Sequence, residues 1–200
     1  MLVGLAACQG AGMARLHRTT MVPTKLELLA DWLPRQPWYR DTGAPPALSR
    51  AGGFRLDDPA GEVGLEFMVV TDGAGGGETT YFVPLAYRGA PLEGADDGLV
   101  GTSEHGVLGT RWVYDGARDP VAVDRLLAFV AGDAEAQHQD ESDITDPSVG
   151  RSWSAAGRPS SLDVVRVLEQ GAPADGPGHV QSDWQRPDGG TARGPVALVR

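Results

Sequence analysis

The 200-residue chain reads as an α+β protein, a mostly antiparallel sheet with two helices packed on it and further strands towards its C-terminal end. Three observations predict this. Two segments carry apolar residues at helical spacing behind helix-start signals, one from Lys25 and one from Pro120. Short alternating or continuously apolar runs recur elsewhere, bounded by Gly, Pro and Asp. Gly 28 and Pro 15 are high, as expected of a turn-rich chain.

The elements follow in order. Leu16 to Met21 is a short strand. Pro23-Thr24-Lys25-Leu26-Glu27 starts the first helix, with Thr24 as cap and Glu27 three positions later as its capping-box partner. Leu26, Leu28, Leu29, Trp32 and Leu33 form its apolar face, off which lie Lys25, Glu27 and Asp31. Pro34 stops it. After a loop containing Trp38-Tyr39 and Pro45-Pro46, Gly52 to Leu56 is a strand. Glu62 to Thr71 and Thr79 to Arg88 form a hairpin around the Gly73–Gly77 loop, and Pro84 predicts an edge position or a bulge. Thr102 to Tyr114 is a strand pair or a bent strand.

Asp119-Pro120 opens the second helix, a capping Asp followed by Pro at the first helical position, and Gly132 closes it. Residues 133–151 are polar and acidic and read as a linker or disordered loop. In the strand-rich segment 152–200, Leu162 to Leu168 alternates like a strand. Gly178 to Gln185 and Thr191 to Val199 flank an Asp188-Gly189 hairpin signal. These strands either join the main sheet or form a separate ribbon.

The N-terminus holds Leu5-Ala6-Ala7-Cys8, which has the look of a lipoprotein cleavage box. No basic residue precedes Cys8, and the apolar stretch falls short of the ~7–15 residues a signal requires. Residues 1–12 therefore read as an N-terminal extension, with Met13 as the natural start. No run approaches the ~20 apolar residues of a membrane span, so a cytoplasmic location is expected. The net charge of −10 opposes binding to nucleic-acid phosphates or anionic membranes. With Cys8 as the single cysteine, internal disulfides and thiolate metal clusters are excluded.

The chain offers little chemistry. Gly75-Gly76-Gly77 lacks the Lys-Ser/Thr of a phosphate loop and the spacing of a dinucleotide fingerprint. Lys25, the sole lysine, begins a helix and reads as a solvated charge. His138-Gln139-Asp140 has an H-x-D shape but no metal-holding Asn or Gln at kinase spacing after it. Ser103-Glu104-His105 sit in a row, and neighbours on a strand point to opposite faces, so they form no triad. His17, His105, His138 and His179 each lack a second ligand at short spacing. Glu66, Glu93, Asp97 and Glu104 could supply a carboxylate pair only if the fold brought two together. No catalytic, cofactor or metal residues are assigned. The aromatic residues remain. By their spacing Trp32 and Trp112 read as core, while Trp38-Tyr39 lies in a proline-flanked loop. The candidate ligand or partner surface is Trp38, Tyr39, Trp112 and Tyr114.

Several unusual strings occur in a telling order. Pro23 to Pro34 (PTKLELLADWLP) with Trp38-Tyr39 resembles the opening of bacterial maltokinases and related sugar kinases of the aminoglycoside-phosphotransferase type. Gly64 to Val70 (GLEFMVV), Tyr81 to Arg88 (YFVPLAYR), Gly101 to Gly109 (GTSEHGVLG) and Trp112 to Asp115 (WVYD) are similar to the segments that follow there, and the Asp119-Pro120 helix comes next. The resemblance covers residues 13–132 and implies the N-terminal cap, with its curved, cystatin-like sheet. In that family the nucleotide, magnesium and sugar chemistry belongs to later lobes, so no catalytic residue is carried over and no cofactor is expected.

The resemblance further implies a non-catalytic cap-like module acting with a protein partner in trehalose, maltose 1-phosphate or α-glucan metabolism. The partner would be a trehalose synthase, a sugar kinase or a glucan-processing enzyme. The alternatives are a small-sugar or glucan-binding domain, and a degenerate sugar kinase or α-glucan branching-related protein.

Overall fold

The computed structural model describes residues 21–141 and 144–200. The expected extension 1–12, Cys8, His17 and the Leu16–Thr20 part of the first expected strand lie outside them. The order is β1 (Met21–Val22), α1 (Lys25–Trp32), β2 (Leu48–Leu56), β3 (Gly64–Asp72), β4 (Thr79–Arg88), β5 (Leu99–His105), β6 (Gly109–Asp115) and α2 (Pro120–Ala131). Then follow β7 (Gln137–His138), β8 (Gly150–Trp153), β9 (Leu162–Val164), β10 (Val167–Leu168), β11 (Gly178–Gln185) and β12 (Thr191–Val199). The fold is α+β and mostly sheet, as expected. A large antiparallel sheet runs β1-β5-β6-β4-β3-β2-β7, with β10 also on β4, and is curled into a half-barrel. A second sheet runs β8-β11-β12-β9.

Alternation along β3 and β4 divides two cores. Met68, Val70, Tyr81, Val83 and Leu85 face Leu28, Leu29, Trp32 and Leu33 of α1 and the following turn. Leu65, Phe67, Val69, Phe82 and Ala86 face the other way. There they share one cluster with Phe54 and Leu56 of β2, Leu126 and Phe129 of α2, and Val180, Trp184, Val196 and Val199 of the second sheet. Stacked rings centre this core, with Phe54 and Phe67 4.8 Å apart at 10°.

The helix signals act as expected. The Glu27 amide donates to Thr24 Oγ1 at 3.3 Å, and the Thr24 amide donates to Glu27 Oε2 at 2.7 Å. The bond from the Thr24 amide, then that from the Thr24 hydroxyl to the same oxygen at 2.8 Å, holds the Glu27 carboxyl below its usual range. Beyond Trp32 the chain tightens into a 3₁₀ turn, Leu33–Arg35, which accommodates Pro34.

Asp119, fully buried, accepts from the Val121 and Ala122 amides. Arg88 Nε (2.6 Å) and Nη2 (3.0 Å) donate to the same carboxylate. Asp119→Ala therefore removes a helix cap and strands a mostly buried guanidinium. It is expected to cost about 3–5 kcal/mol, with Asp119→Asn intermediate, measured by denaturant unfolding. Gly132, at φ 92°, closes α2.

Three expectations need correction. Pro84 is not on an edge strand, because β4 lies inside the large sheet. Its missing N–H falls where the partner of β4 changes from β10 (at Thr80 and Tyr81) to β6 (from Leu85), and the Gly116 amide donates to the Pro84 carbonyl at 2.8 Å. The described residues of the 133–151 stretch do not form a loose linker. Ala136, Gln139 and Asp146 are buried, β7 pairs with β2, and β8 begins at Gly150. Leu162–Leu168 is not one strand, since β9 pairs with β12 in one sheet and β10 with β4 in the other.

Candidate functional site

The four candidate aromatic residues separate into two pairs on opposite faces of the large sheet. Trp38 and Tyr39 follow the turn after α1 and pack on the α1 face. Trp38 lies 5.7 Å from Trp32 and 5.9 Å from Tyr81, with the Arg166 guanidinium 4.9 Å above its ring. Arg166 also donates to buried Asp115 at 2.5 Å, so the segment between β9 and β10 pins this ring. Tyr39 stacks on Tyr81 at 5.7 Å and donates to Asp72 Oδ2 at 2.8 Å. Burial, then the Asp72 bond, raises the Tyr39 phenol, so it stays protonated.

Trp112 and Tyr114, two apart on β6, face the other core. Trp112 is half-buried there. Tyr114 is buried, and its hydroxyl accepts from the Leu92 amide at 2.9 Å.

The carboxylates expected to form a pair are scattered. Glu93 and Asp97 are exposed ahead of β5, and Glu104 is exposed on β5, where Thr110 Oγ1 donates to it at 2.7 Å. Glu66 differs from them. Its side chain, on β3 under α1, is 8% exposed. Oε2 accepts from Lys25 Nζ at 2.5 Å and from the Tyr87 hydroxyl at 2.8 Å, and Oε1 accepts from Gln139 Nε2 at 3.0 Å. Burial first, then the Glu66 charge, pushes the Tyr87 phenol well up, which keeps it a donor. Lys25 is thus a partly buried ion-pair partner, not a free solvated charge. Adjacent to this cluster, Arg50 forms a two-pronged pair with Asp140. Spacing could not reveal the junction, because Lys25, Glu66, Tyr87 and Gln139 come from four distant segments.

The Arg50 bond holds the Asp140 carboxyl below its usual 3.8. A carboxylate with a lowered folded pKa contributes stability that is complete above its unfolded value and is lost as pH falls through the folded one. The Gln139 and Asp140 amides should therefore exchange faster below about pH 4, after correction for intrinsic rates, while β3 amides hold. Exchange by NMR checks this.

His138 Nδ1 lies 3.9 Å from Asp146. Among the described residues, no three His, Cys, Asp or Glu side chains gather to hold a metal. No helix there is long and apolar enough to cross a membrane.

The curled antiparallel sheet of this α+β fold carries α1 on one face and α2 on the other. Residues 32–119 match the family described as the maltokinase N-terminal cap domain. This bears out the resemblance read in the strings between Trp32 and the Asp119 cap of α2. The match covers a little under half of the chain and takes in Trp38, Tyr39, Glu66, Tyr87, Trp112 and Tyr114, but not Lys25 or Gln139. No curated protein matches the chain.

Proposed function

We propose that the chain is a non-catalytic, maltokinase-cap-like module that binds a protein partner in trehalose, maltose 1-phosphate or α-glucan metabolism in the cytoplasm. The observation that carries this reading is the match of residues 32–119 to a domain described as the N-terminal cap of a kinase. A cap is one part of a multidomain enzyme, which is compatible with contacts to protein. The absence of any motif for nucleotide phosphates in the sequence also supports it.

The test is to tag the chain at its C-terminus, purify it gently from its native host and identify what accompanies it. Recovery of a trehalose synthase, a sugar kinase or a glucan-processing enzyme is expected. Recovery of the chain alone as a monomer would count against the reading. So would transfer of phosphate from ATP to maltose that persists through extensive purification.

The second reading is sugar or glucan binding, for which the half-buried Trp38 and Tyr39 are the reporters. Tryptophan fluorescence titrated with maltose, trehalose and glycogen separates the two readings. No change at high millimolar sugar favours the protein partner.

A further inference from the structure

Residues 137–140 close the β2 edge of the large sheet, and polar side chains hold them there. Two backbone pairs, Phe54 with His138 and Arg55 with Gln137, set them against β2. Gln137 Nε2 donates to Asp57 at 2.5 Å, Gln139 Nε2 donates to Glu66, and Asp140 pairs with Arg50. None of Gln137, His138, Gln139 and Asp140 is an apolar residue, and on their outer side the His138 amide donates to the Ile144 carbonyl at 2.9 Å, so the strap lifts together with residues 144–146.

The place they fill is built to receive a side chain. The Gln139 amide lies against Gly53, where even a Cβ would come within 2.7 Å of it. Arg55, opposite Gln137, has a buried Nη1 with no hydrogen-bond partner. Without residues 137–140, Glu66 would keep Lys25 and Tyr87 on Oε2. Glu66 Oε1, the Arg50 guanidinium and the β2 backbone would each lack a partner.

We infer that this edge is a docking site for an extended acidic segment of a partner protein, and that residues 137–140 are the strap that occupies it in the free chain. The strap itself is the template. It is a short extended segment added to a sheet edge, with an amide side chain donating to Glu66 and a neighbouring carboxylate on Arg50. Backbone pairing supplies attachment and the two side-chain bonds supply selectivity. Arg50 and the unpaired Nη1 of Arg55 favour a carboxylate beside them, while Asp57, whose buried Oδ1 is also unpaired, favours an amide donor opposite it, as Gln137 supplies. The inference rests on the partner-binding reading and gives it a surface and a chemistry.

Two measurements test it. In the intact chain, the Gln137 and Gln139 amides, which alternate with the His138 amide and so face β2, should exchange at least about 100-fold faster than those of β3, by opening of the strap alone. Exchange at the β3 rate would overturn the strap. The Gln139→Gly/Asp140→Gly variant, checked for folding by its β3 exchange, should bind a synthetic peptide of residues 135–141. Affinity should fall about tenfold when the peptide carries Asp140→Asn or the protein also carries Arg50→Gln, and the wild-type chain should bind about tenfold more weakly.

No binding by the folded variant, or binding indifferent to Arg50, would overturn the site. Should that variant not fold, Asp140→Asn alone must accelerate exchange at Gln137 and Gln139 while β3 holds, and unchanged exchange there would overturn the strap. A partner captured equally by wild type and Arg50→Gln would refute this site while leaving the partner reading intact.

Discussion

Gly53→Ala is expected to unfold most of the protein, with a loss of more than about 4 kcal/mol against a total stability of roughly 5–15 kcal/mol. Gly53 has φ +128°, a conformation that side-chain-bearing residues rarely adopt. A Cβ there would overlap the carbonyl oxygen of Phe67 on the paired strand and come within 2.7 Å of the Gln139 amide. The Phe67 carbonyl has no room to yield, because it belongs to the backbone beside the Phe54–Phe67 ring stack, whereas the Gln139 amide, at the end of its side chain, can move at the loss of its bond to Glu66. Gly43→Ala provides the comparison. Its φ is +76° with nothing within 4 Å, so it should lose only about 1 kcal/mol. Denaturant midpoints of the two variants separate the steric cost from the backbone cost. Equal, small losses would show that β2 can shift away from β3.

Deletion of residues 150–200 is expected to leave a chain with no cooperative unfolding transition. The deleted part carries β8 to β12, and its Val180, Trp184, Val196, Ala197 and Val199 share one core with Phe54, Phe67, Phe82 and Phe129. Without them the stacked rings face water, and each buried aromatic contributes roughly 3–5 kcal/mol when truncated. The deletion also takes β10 from beside β4, the Arg166 carbonyl from the Phe82 amide, and the Arg166 guanidinium from Asp115. Aggregation, dye binding to exposed apolar surface and loss of near-ultraviolet circular dichroism are the expected results. A truncated chain that melts sharply near the intact temperature would show that residues 21–149 fold alone.

Much of the local structure was legible. Thr24 and Glu27 announced α1, and Asp119, Pro120 and Gly132 bounded α2, because caps are made by neighbours in sequence. The expected limits of β4, β11 and β12 coincide with the strands observed, because alternation and turn residues act over a few positions. The strings between Trp32 and Asp119 carried the resemblance that the family match bears out. The candidate aromatic set was less legible. Side-chain type marked Trp38, Tyr39, Trp112 and Tyr114 as notable, and nothing in their spacing says that the sheet divides them.

By itself the sequence determined the α+β class, the two helices with their caps, and most of the strands. Each follows from interactions spanning a handful of residues. The tertiary structure alone decided that residues 137–140 of the acidic stretch pack against β2, that Leu162–Leu168 serves two sheets, and that Pro84 sits at a change of strand partner. It alone decided that the one lysine, Lys25, neutralises a buried Glu66. These outcomes depend on which distant segments share a face. An acidic or polar residue becomes structural only when another part of the chain brings it a partner and excludes water.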